Sequence, residues 1–73
     1  MQIPHDDLQV GTVVWYRYSE TKSVQGPYRV KNIIGRFDGR HVQLANDRET
    51  IHLPLDDDDV FGLLLFYDAE PKL

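Results

Sequence analysis

Seventy-three residues with no cysteine leave room for one small domain, and they exclude a disulfide framework and a thiolate zinc site. A hydrophobic share of 41% is that of a globular chain, and a net charge of −4 argues against phosphate-backbone binding as the main activity. The charge is unevenly spread: Arg17 through Arg48 carries seven bases against three acids, and Asp56 onward six acids against Lys72 alone. A basic body beside an acidic end reads first as self-complementarity and solubility.

Met1 to Asp7 has neither a basic region nor an apolar run, so no signal peptide is visible. The longest apolar stretch, Val60 to Tyr67, is far too short to span a bilayer. A soluble, cytoplasmic domain with no membrane partner is the expectation.

Pro4 to Gln9 reads as a lead-in in which Asp6 or Asp7 caps a single helical turn. Thr12 to Tyr18 is rich in β-branched and aromatic residues and predicts a first strand. Thr12, Val14, Tyr16 and Tyr18 share one of its faces and Val13, Trp15 and Arg17 the other. Ser19 to Pro27 is a polar loop ending in the strand-breaking pair Gly26-Pro27. The second strand runs from Tyr28 to Phe37 and turns at Asp38-Gly39, the dipeptide that favours a two-residue type I′ hairpin.

Pairing outward from that turn, with Phe37 opposite Arg40, sets Gly35 against Val42 and Ile33 against Leu44. Tyr28 and Val30 are then out of phase. One extra residue restores the alternation, so a β-bulge or sharp bend is predicted over Lys31–Ile33. The third strand, Arg40 to Ala45, points Val42 and Leu44 inward. After a turn at Asn46–Glu49, Thr50 to Leu55 alternates, with Ile51, Leu53 and Leu55 inward. Pro54, which has no N–H, suits a sheet edge or a strand end rather than a central position.

Val60 to Tyr67 reads as a last strand; its Leu-rich composition also allows a helix, which Gly62 disfavours by about 1 kcal/mol. Asp68 to Leu73 is a tail. The predicted core is Val14, Tyr16, Val30, Ile33, Val42, Leu44, Ile51, Leu53 and Leu65. The expected fold is all-β: a small five-stranded SH3-like barrel of antiparallel strands, with one short helical turn, filling residues 1–73.

Gly11-Thr12-Val13-Val14, Tyr28-Arg29-Val30 and the hairpin into Val42-Gln43-Leu44-Ala45-Asn46-Asp47 resemble the Tudor branch of SH3-like barrels. The resemblance covers about two thirds of the chain. It implies an interaction domain that reads methylated arginine or lysine through an aromatic cage. The position of that family's aromatic turn falls near Asn46-Asp47-Arg48-Glu49, which carries no aromatic and a repelling arginine. A shorter likeness, Trp15-Tyr16 with Gln25-Gly26-Pro27-Tyr28, is similar to the opening of GYF adaptor domains. The chain then enters its hairpin where that family continues into a helix.

Chemistry-bearing patterns are sparse. The hairpin and the Asn46–Glu49 turn place Gln43 opposite His52, with His41 diagonal to it at roughly 7–8 Å. No carboxylate on those strands supplies a third ligand, so no metal or cofactor is expected. Asp56, Asp57, Asp58 and Asp59 form an acidic patch without the spacing or glycine of a calcium loop. No nucleophile setting or phosphate loop occurs, and the chain is not expected to be an enzyme.

Binding remains. The candidate interaction residues are Trp15, Tyr18, Tyr28, Arg29 and Arg36, and a protein partner is the leading expectation. Nucleic-acid binding through a basic-aromatic surface, with Arg17, Lys31 and Arg40 added, is the alternative. A small acidic inhibitor mimicking DNA is a third reading, and a second copy paired through an exposed edge strand a further partner.

Overall fold

The computed structural model describes residues 1–57 and 60–73, and over these the chain is all-β. Six strands form one antiparallel sheet: β1 (Gln2–Ile3), β2 (Val13–Tyr18), β3 (Gln25–Arg36), β4 (Gly39–Ala45), β5 (Thr50–Pro54) and β6 (Leu64–Tyr67). Their spatial order is β1-β6-β2-β3-β4-β5. Among the described residues, no helix is long and apolar enough to cross a membrane. The single helical element among the described residues is a 3-10 turn at His5–Asp7. Pro4 stands at its N-cap, and Asp6 and Asp7 lie inside the turn rather than capping it.

The count is six rather than five because Gln2 and Ile3 pair with Tyr67 and Phe66 along β6. A two-residue strand has no period to read; it exists because β6 offers a free edge and Ile3 packs on the core beside Phe66. The last apolar run is a strand, over Leu64–Tyr67, and not a helix. Its phase differs from expectation by one residue. Tyr16 faces Phe66 and Tyr18 faces Leu64, so Leu64 and Phe66 are fully buried and Leu65 lies opposite Arg17, half-buried on the other face.

Gly26-Pro27 does not break β3 but belongs to it. Val14 pairs with Tyr28 and Tyr16 with Gln25, so Gly26 and Pro27 together oppose Trp15 alone. A bulge is where a strand tolerates a residue without an N–H, and the peptide bond between this pair is cis. The indole lies against Gly26, where a Cβ would come within 2.5 Å of Trp15 Cδ1.

The β3–β4 hairpin turns one residue earlier than the Asp-Gly signal indicates. Arg36 pairs with Gly39, leaving Phe37 and Asp38 as the loop. A type I′ turn needs positive φ at both central residues. Gly39 alone in this hairpin has one, at 117°. Ile33 therefore faces Val42 instead of Leu44, and Gly35 faces Arg40 instead of Val42. The pairing has slipped by two residues, an even number, so every side chain stays on its expected face. That preserved parity is why the predicted irregularity survives: Val30 pairs with Leu44 and Asn32 with Gln43, and Lys31 is the extra residue.

The inner face is a set of cross-strand rows. Ile3, Phe66 and Tyr16 form one, Val14 and Tyr28 the next, then Val30, Leu44 and Ile51, then Ile33, Val42 and Leu53. Val14, Val30, Val42 and Leu44 are fully buried, and Tyr16, Ile33, Ile51 and Leu53 pack against them partly buried. Leu8 and Leu55, which flank strands, complete the cluster.

Candidate functional site

The five interaction candidates do not converge. Trp15 lies on the outer face of β2, half-buried against Gly26. Tyr18 packs on the core and its ring meets Phe61 at 6.4 Å between centroids. Tyr28 is buried, and its hydroxyl donates to Glu49 Oε1 at 2.9 Å. Burial and that hydrogen bond push its pKa up to about 12. Arg29 is exposed and donates to the Gly11 carbonyl at 2.9 Å. Arg36 stands at the hairpin tip, about 23 Å along β3 from Arg29 at the usual rise of a strand.

The wider basic surface loses two cations to internal work. Arg17 donates from Nε to the Tyr67 hydroxyl at 3.0 Å and from Nη1 to the Thr21 carbonyl at 2.7 Å. Arg40 joins Asp56 and Asp6, each at 2.8 Å. The Arg40 guanidinium holds Asp56 down at about 2, and the two carboxylates raise Arg40 in turn. Asp56 is thus neutralised, Asp57 is exposed, and Asp58 and Asp59 lie outside the described residues. The charge asymmetry works at least partly as self-complementarity, which ties the segment after β5 and the 3-10 turn to β4.

Two features of the β3–β4–β5 region stand out. The first is the edge of β5, which among the described residues pairs with β4 only. Leu55 N–H donates to the Arg40 carbonyl at 2.8 Å, one residue beyond the His41–Pro54 pair. Amide groups alternate in direction along an antiparallel strand, so those of Leu53 and Ile51 also face β4. Those of Thr50 and His52, with the Pro54 carbonyl, face outward, and Pro54 sits where its missing N–H costs the ladder nothing.

The second feature is a histidine pair. Gln43 faces His52 as expected. From the diagonal position the His41 ring reaches that of His52: the ring centroids are 5.0 Å apart, and His41 Nδ1 lies 3.0 Å from His52 Nε2. A carboxylate is present after all, because Asp38 in the turn reaches His41 Nε2 at 3.1 Å. The Asp38 carboxylate only accepts, so His41 Nε2 carries a proton, and in the neutral ring Nδ1 then presents its lone pair to His52 Nε2–H. The His41 bond holds the Asp38 carboxyl below its ordinary range. The His41 side chain is 13% exposed and so held in place, whereas His52 is open to solvent. The third histidine is committed elsewhere, its Nε2–H donating to the Leu64 carbonyl.

The signal for Asp38 was present in the sequence as its three-residue spacing from His41. A strand-face reading passes over it, because a turn residue belongs to neither strand. Among the described residues, no three His, Cys, Asp or Glu side chains converge on one cation position. Asp38 and His52 stand at opposite nitrogens of His41. No family model, no curated protein and no solved structure matches this chain.

Proposed function

We propose that this chain is a non-enzymatic protein–protein interaction module that takes an extended segment of a partner protein onto the free edge of β5. The outward amide groups of Thr50 and His52 carry the reading, since among the described residues they pair with no other strand. Strand addition draws affinity from such main-chain groups and specificity from alternate side chains. Here those side chains are the half-buried Ile51 and Leu53 on one face and Thr50 and His52 on the other. The SH3-like barrel of the Tudor branch belongs to the same proposal, supported by the bulges at Gly26-Pro27 and Lys31, which bend the long β3.

Peptides selected from a random library on the immobilised protein test the proposal. Expected are amide shifts and slowed hydrogen exchange at Thr50 and His52. His52→Pro, which deletes one outward N–H, should weaken binding at least about tenfold, and His52→Gln, which keeps that N–H, should weaken it less. Peptide binding that ignores His52→Pro overturns the reading. So does self-association through β5 without any peptide taken up. Binding to single- or double-stranded DNA that falls steeply with salt supports the nucleic-acid alternative instead.

A further inference from the structure

We infer that His41 and His52 form a two-imidazole site for a borderline divalent cation, Zn2+ in the first instance, with Asp38 as the positioning carboxylate. Two nitrogen ligands of a tetrahedral Zn2+, each at 2.0–2.1 Å, stand about 3.3 Å apart. His41 Nδ1 and His52 Nε2 are 3.0 Å apart, so an ion enters once the exposed His52 ring swings off the His41 lone pair and turns its own Nε2 toward the same point.

The tautomers favour the same outcome. Asp38 holds the His41 proton on Nε2, which leaves Nδ1 as a lone pair aimed at His52. His52 then needs only to carry its proton on Nδ1 to offer Nε2 to the ion, and no proton has to leave a neutral pair. A ligating histidine whose other nitrogen donates to a carboxylate is the usual second layer of a metal site, fixing ring orientation and raising ligand basicity. The backbone contributes rigidity, because His41 lies on β4, flanked by β3 and β5, with only 13% of its side chain exposed. Since Asp38 does not converge with the imidazoles, the protein supplies two ligands and water completes the shell. Affinity is therefore modest.

The test uses tag-free, chelator-treated full-length protein, titrated with ZnCl2 by calorimetry and by imidazole nitrogen resonances. Binding should saturate at one ion per chain, with the largest shifts at His41 Nδ1 and His52 Nε2. His41→Gln and His52→Gln should each weaken binding at least tenfold. Asp38→Asn should weaken it by about 10–100-fold at unchanged stoichiometry. The amide spectrum of each variant checks its fold, and His52→Gln, at an exposed position, serves as the variant least able to disturb it. Absence of Zn2+ binding, binding that leaves both rings unshifted, or binding unchanged in His52→Gln overturns the site. An undiminished Asp38→Asn removes the carboxylate's role.

Discussion

Trp15 and Gly26 show how one residue pair shapes its surroundings. The indole occupies the space that a Cβ at position 26 would need, and Gly26 has φ +152°, a conformation L side chains rarely adopt. Gly26→Ala forces either the ring or the bulge to move, and such overpacking costs about 1–3 kcal/mol. Urea unfolding should show that loss as a lower midpoint at unchanged slope; a midpoint within error of wild type would mean the ring is not held there. The same scale explains why Tyr28 reads two ways. An aromatic beside an arginine looks like a binding surface, yet its ring fills the core and its hydroxyl is taken by Glu49. His41 runs the other way: an ordinary sheet histidine by spacing, it becomes a half-buried imidazole hydrogen-bonded at both nitrogens once Asp38 and His52 are placed around it.

Among elements, β3 is the one whose irregularities matter most. Lys31 is an exposed extra residue, so its side chain contributes little while its backbone sets the bend. Lys31→Ala should change stability by no more than about 0.5 kcal/mol. Deleting Lys31 leaves Val30 inward, Asn32 outward and Ile33 inward, but straightens the ladder and pulls the Val30 and Ile33 rows out of their common core. Thermal unfolding of the deletion should therefore occur well below that of Lys31→Ala; equal melting temperatures would show the bulge to be dispensable. The bulge was legible because side-chain faces follow parity, and parity survived even though the turn moved. The turn itself was misplaced because Asp38-Gly39 is a strong type I′ signal, while the chain uses only the glycine's positive φ. In β6, Leu64, Leu65, Phe66 and Tyr67 offer no alternation, so only pairing with Tyr16 and Tyr18 decides which side chains turn inward.

At the scale of the whole molecule, ion pairs tie segments distant in sequence. Arg40 joins the 3-10 turn to the segment after β5, and the N-terminal amine meets Asp68 at 2.8 Å. Asp56 falls from 3.8 to about 2 beside Arg40, and Asp38 and Asp68 are lowered by His41 and the N-terminal amine. A carboxyl lowered on folding contributes stability above its unfolded value and loses it as pH falls through the folded one. Stability should therefore decline from pH 3.8 down to about 2. Asp56→Asn should flatten part of that decline, and added salt should shrink the difference because the pair is solvent-exposed. Parallel curves for the two proteins at low salt would remove the pair from the account.

The sequence by itself determined the all-β class, the faces of β2 to β5, a bulge within Lys31–Ile33, the Gln43–His52 register and a place for Pro54 away from the centre of the sheet. All of these follow from period-two alternation and local backbone chemistry, which act over a few residues. Only the tertiary structure decided the β1–β6 pairing, the phase of Leu64 and Phe66, the Trp15–Gly26 contact and the Asp38–His41–His52 line. Each of these depends on which groups meet from different strands or from a strand and its turn. Those encounters are set by burial and hydrogen bonding across the fold, and no local pattern in the chain records them.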